Sequence, residues 1–265
     1  MRAMRTYLRL AAGLAALTAS AAFAQTTRLN IDYETGTTDS GIFRLVATEA
    51  PAADAAYIVD GEARSGRYAL AHKVTWTDPG YVSFGAPRSE AHASSVRDGA
   101  LKPGQYAPGQ HRLYTFSVML KDWEDWNGAP GPAPVDIVWQ FKHFNGGPDF
   151  YVGVRRNQMI LRYGEKQAVL IDDVRPYDNR WLDFRFEIYW AKDDSGYYTA
   201  EVKRDGDADY TLKAAEAAYP TFDPAYAGTA GTIQWGLYRP DAAKVPGATP
   251  TRIVLHDDIR VIELP

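Results

Sequence analysis

An alternation of period two most constrains what this 265-residue chain can fold into. Leu182, Phe184, Phe186, Ile188 and Trp190 interleave with Asp183, Arg185, Glu187 and Tyr189. Successive side chains of a strand point to opposite faces, so this run is a strand with one buried face. Lys192-Asp193-Asp194-Ser195-Gly196 then turns the chain into a second run, Tyr197–Arg204, closed by Asp205-Gly206, and the pair reads as a hairpin. A similar pair lies at 149–154 and 158–163, joined near Arg156-Asn157. Further strands are expected at 68–75, 81–84, 88–94, 112–120, 135–144, 232–239 and 252–262. The one helix-like window, 211–218, is short and alanine-rich, and 127–134 and 241–250 read as loops. Ten or more strands with no long helical period predict an all-β fold, two antiparallel sheets stacked as a sandwich or jelly roll.

The first 24 residues stand apart. Arg2, Arg5 and Arg9 precede an apolar run from Leu10 to Leu17, and Ala22-Phe23-Ala24 offers a cleavage point. This is the pattern of a signal peptide, and the run is too short to serve comfortably as a membrane anchor. The expectation is export to the periplasm or the medium, with one domain over 25–265 and no further membrane span. Loss of the three leader arginines takes the formal charge from −4 to −7. An acidic chain without a basic face is a poor nucleic-acid partner. With no cysteine to form disulfides, the core alone must hold the fold, and the chain is expected to act as a monomer.

Three strands place unexpected polar groups on one face. Arg88, Glu90 and His92 alternate with Ser89 and Ala91, which reads either as a site or as a solvent-facing charge ladder. On 135–144, Val135, Ile137, Trp139 and Phe141 form an apolar face, with Gln140 and Lys142 on the other and His143 inward as a satisfied histidine. On the third, Ile233, Trp235 and Leu237 face the core, leaving Gln234, Gly236 and Tyr238 outward. Gly236 leaves open space over the sheet there, or marks a bulge.

These pieces resemble the heparinase-I-like and glucuronan-lyase-like polysaccharide lyases, which share a concanavalin-A-like β-jelly roll. The resemblance runs in order through Gly66-Arg67-Tyr68-Ala69-Leu70, Arg88-Ser89-Glu90, Val138-Trp139-Gln140-Phe141-Lys142, Arg180-Trp181-Leu182, Asp194-Ser195-Gly196-Tyr197, Trp235-Gly236-Leu237-Tyr238-Arg239 and His256-Asp257-Asp258-Ile259-Arg260-Val261. Relatives commonly carry Gln-x-His where this chain has Gln140-Phe141-Lys142, and a Lys where Gln234 stands. His143 cannot substitute without a bulge, because one residue of slip changes its face. His92, beside Arg88 and Glu90, is placed to supply the imidazole.

The resemblance implies β-elimination on an anionic, uronate-containing polysaccharide. The substrate carboxylate must be neutralised before C5 releases its proton, a task for Gln140 with Arg88 or Lys142. Tyr238 is expected to act as base and acid, with cations favouring its phenolate and His92 as the second base. Glu90 orients Arg88 or His92, while Gln234, Arg155 and Arg162 extend the substrate row. Trp123 and Trp126 either line a groove beside the 127–134 loop or pack beneath it. Asp32, Glu34 and Asp258, near the two chain ends, would suit a structural calcium ion, and no cofactor is needed for the chemistry. Hydrolysis needs two carboxylates facing each other ~5–9 Å apart, and Glu90 stands alone on its strand. The rival of another class is a non-catalytic, lectin-like carbohydrate-binding module of the same fold.

Overall fold

The computed structural model describes residues 25–42, 45–93, 104–126, 131–143, 146–226, 228–245 and 247–265. The leader at 1–24, residues 127–130 of the 127–134 loop, and the tips of the strands expected to reach 94 and 144 lie outside these residues. The chain opens with β1 (Thr26–Ile31), β2 (Ala56–Asp60), β3 (Tyr68–Thr75) and β4 (Val82–Ser83). There follow β5 (Ala86–His92), β6 (Gln105–Tyr106), β7 (His111–Lys121) and β8 (Val135–His143). Next come β9 (Pro148–Arg155), β10 (Gln158–Tyr163), β11 (Lys166–Ile171) and β12 (Trp181–Tyr189). The last are β13 (Tyr197–Arg204), β14 (Thr211–Glu216), β15 (Gly231–Tyr238) and β16 (Thr251–Glu263).

These strands make two antiparallel sheets. One runs β14-β13-β12-β7-β16-β3-β2, with β1 also on β16; the other runs β11-β10-β9-β8-β15-β5-β4, with β6 also on β15. The result is the β-sandwich jelly roll that the alternation predicts. Aromatic side chains weld the layers together. Phe116 of the first sheet stacks on Trp139 of the second at 3.8 Å between ring centroids, and Phe184 stacks on Phe116 at 5.0 Å. Two buried indoles find partners for their polar tips, while Trp139 Nε1 and the Tyr198 hydroxyl have none among the described residues. Trp235 Nε1 donates to the Tyr33 hydroxyl at 2.8 Å, and Trp190 Nε1 donates to that of Tyr114 at 2.8 Å.

The structure corrects the sequence reading at two elements. The alanine-rich window at 211–218 is not helical: its first six residues form β14, an edge strand on β13. An isolated helix of eight residues is marginal in water, whereas a ladder with β13 satisfies backbone groups along one side. The second correction concerns β8, where the register slips between Ile137 and Trp139 against β9 and between Trp235 and Tyr238 on β15. The bulge brings Val138 into the core with Trp139 and Phe141. Val135 and Ile137, expected on the core face, turn to the outer face, where Ile137 pairs with Gly153 and Tyr238.

Candidate active site

β15 lies between β5 and β8, and this neighbourhood brings the three polar strands together. Gln234 is level with His92 on one side and Gln140 on the other, while Tyr238 is level with Arg88. Directly paired residues share a face, so Arg88, Glu90, His92, Gln140, Lys142, Gln234 and Tyr238 all project from the outer face of the second sheet. A pocket of about 260 Å³ opens there, lined by Glu49, Ser83, Phe84, Arg88, Glu90, His92, Lys142 and Gln234.

Glu90 is the electrostatic centre of the floor. It is buried, with Arg88 Nη1 3.6 Å from Oε2 and Gln140 Nε2 donating to Oε1 at 2.5 Å. Burial pushes its carboxyl up from the usual range, while Arg88, Gln140 and Lys142 pull it back. Glu90 Oε2 and Arg88 Nε are buried without a hydrogen-bond partner. Burial and the nearby Arg88 lower the Lys142 ammonium, and Glu90 opposes them. Burial also lowers His92, helped by Lys142 and opposed by Glu49. The Arg88 guanidinium lies 3.9 Å from the centroid of the Tyr238 ring. Partly desolvated cations of this kind bind an anion far more strongly than cations in water.

Other residues fall differently. Gln140 shares the face but is only 1% exposed, its amide pinned to Glu90 and 3.5 Å from Gln234 Oε1, so it lies beneath the floor. His143 points inward, as expected, with Nε2 on Asp149 at 3.1 Å and its ring stacked on Tyr226. Gly236 does not leave open space: with φ at +135°, an added Cβ would meet the Ser89 carbonyl and stand 2.8 Å from both Glu90 Cα and His72 Nδ1. Its smallness serves close packing within the sandwich. Arg162 pairs with Tyr151, which pairs with Gln140, extending the row across two more strands to a point ~14 Å from Gln234. Arg155 is exposed at the end of β9, and both arginines act on the half-buried Tyr151 hydroxyl, lowering what burial raises.

Trp123 and Trp126 do not line this pocket. Trp123 is buried in the core with the Arg252 guanidinium 4.3 Å from its ring, and Trp126 packs against Ala242, Val245 and Ala248. Nor are the three carboxylates suggested for calcium gathered: among the described residues no group of three or more His, Cys, Asp or Glu side chains is arranged to hold a metal. β1 does pair with β16, but Glu34 accepts from the Arg67 and Tyr68 amides, Asp32 from the Glu34 amide, and Asp258 from the Ser65 hydroxyl. The alternation reveals most of the pocket but misses Glu49, Ser83 and Phe84. Phe84-Gly85, between two β-runs, carries a turn signal that could have drawn attention to the last of these.

Residues 31–260 match the family described as polysaccharide lyase. The chain belongs to that family. Comparison with curated proteins finds no match. Among solved structures, the lyase is similar to an endo-β-1,4-glucuronan lyase from the fungus Trichoderma reesei. The two are 18% identical with a TM-score of 0.63, over 89% of this chain and 95% of the other. It is also similar to a marine alginate lyase from Aplysia kurodai, at 8% identity and TM-score 0.50, over 90% and 100% of the two chains. A glycoside hydrolase family 131 catalytic domain from Coprinopsis cinerea shares the fold at 12% identity and TM-score 0.52, over 83% and 82%. One fold thus serves unlike reactions, and it is the family match that makes this chain a lyase.

Proposed function

We propose that the lyase is an exported enzyme that cleaves a uronate-containing, anionic polysaccharide by β-elimination at the β5–β15–β8 pocket. The observation that carries this reading is a set of cationic and imidazole groups, Arg88, Lys142 and His92, lining one pocket of a chain with formal charge −4. Arg88 and Lys142 share the cleft with Glu49 and Glu90, so the placement of the two cations, not an excess of positive charge, is what would receive an anionic sugar. The similarity to glucuronan and alginate lyases supports the same substrate class.

Arg88 and Lys142 meet the sugar carboxylate, with Gln234 donating beside them. Gln140 acts through Glu90, holding the carboxylate that sets the position of Arg88. With the uronate charge neutralised, C5 releases its proton to Tyr238, which is level with Arg88 on the same face though not among the residues lining the pocket, and the electron pair forms the C4–C5 double bond as the C4–O4 bond breaks. Tyr238 returns the proton to the departing O4, and His92 assists from the far end of the pocket. General acid–base catalysis of this type contributes ~10²–10⁴-fold.

Incubation with a panel of uronate polymers, followed by the ultraviolet absorbance of the unsaturated product, tests the reading. Tyr238→Phe is expected to retain glycan binding and lose at least ~10²-fold in rate. Binding without product on every polymer, at several pH values and with calcium added, would instead make this chain a binding module.

A further inference from the structure

Phe84 has no part in the scheme above. With Gly85 it forms the tip of the β4–β5 hairpin, a two-residue loop between Ser83 and Ala86, which are paired. Both tip residues are left-handed, at φ +48° and +77°. Such a turn suits the twist of its strands but favours Asn-Gly, because a side chain at the first position crowds the backbone. Phe84 is also 71% exposed, the most exposed of the large hydrophobic residues described. The hairpin therefore bears both a strained backbone and a solvated ring, with little burial in return.

The ring is nevertheless aimed. It lines the pocket, and its centroid lies 5.8 Å from the Arg88 guanidinium, which itself lies 3.9 Å from the centroid of the Tyr238 ring. We propose that Phe84 is a sugar-stacking platform: a subsite at the β4 rim that takes the apolar C–H face of one pyranose ring while Arg88 takes an adjacent carboxylate. A pyranose has one face rich in C–H groups, and an exposed aromatic ring beside convergent polar groups is the usual way to hold it without a further hydrogen bond. This inference rests on the pocket being a glycan site. It makes Phe84 a positioning residue, since the ring touches none of the reacting atoms.

The test compares Phe84→Ala, Phe84→Asn and Phe84→Trp. On whichever uronate polymer yields product, Ala and Asn should raise KM about tenfold and change kcat by less than about twofold, with Trp close to the parent. Asn should also melt at or above the parent temperature, because it relieves the left-handed position. A merely structural Phe84 would instead lower the melting temperature of Ala and Asn together and leave KM in place, and that result overturns the proposal. If the parent releases no product from any uronate polymer, the lyase scheme at this pocket fails, and the platform is judged by mobility in gels containing neutral or uronate polysaccharides. Slower migration of the parent than of Phe84→Ala supports the platform, and equal migration overturns it.

Discussion

His92 shows how burial tunes a single group. Its imidazole is pushed below the ordinary 6.5, mainly by desolvation and secondarily by Lys142, while Glu49 holds it up. A base must be unprotonated to act, so kcat/KM should climb from acid pH to a plateau with a midpoint below about 6.5. Glu49→Gln removes the opposing charge and should move that midpoint further down, and His92→Gln should abolish this limb. A midpoint that ignores both substitutions would exclude His92 from the reaction. The alternation Arg88-x-Glu90-x-His92 made their common face legible in the sequence. The burial of Gln140 was not, because it depends on two residues of other strands, Glu90 and Gln234, closing over it.

At the scale of a strand, period two is legible and its interruptions are not. The sequence of β8 alternates from Val135 to Phe141, yet the slip beyond Ile137 reverses the first part of the strand. A bulge is set by what the neighbouring strands require, and here that neighbour is β15 with its left-handed Gly236. Replacing Gly236 with Ala would drive a methyl group into the Ser89 carbonyl and toward the Glu90 Cα atom, neither of which can swing away. The expected cost is about 2–4 kcal/mol, seen as a melting temperature lower by roughly 5–15 °C. Glu90 and Tyr238 flank the glycine, so activity should fall beyond the loss of folded protein. An unchanged melting temperature would mean that β5 and β15 can separate without penalty.

For the whole molecule, the number of alternating runs sufficed to predict two sheets, whereas their order was hidden because half of the pairings join strands that are not consecutive in the chain. Between the sheets lie two buried histidines, His72 and His256, with ring centroids 5.8 Å apart. Burial pushes His72 well below 6.5 and His256 down to about 4, and His256 Nε2 bonds the Val138 carbonyl at the bulge. The unfolded chain binds these protons first, so their contribution to stability is present above about pH 6.5 and is lost as pH falls toward 4. Asp257, pushed up to about 7 by burial, works in the opposite direction over the whole of that range. Three lowered histidines, His92 included, against two raised carboxylates, Asp257 and Glu90, predict a denaturant midpoint lower at pH 4.5 than at pH 7, with a shallower decline for His72→Gln. A midpoint that rises toward acid would show that the two carboxylates dominate. The position of β16 has a consequence of another kind. This strand sits between β7 and β3 and also holds β1, so the first sheet lacks its middle until the last described strand is in place. A chain emerging from its N-terminal end must keep β1, β3 and β7 waiting with unfilled edges, and its sandwich closes late, all at once, around Thr251–Glu263.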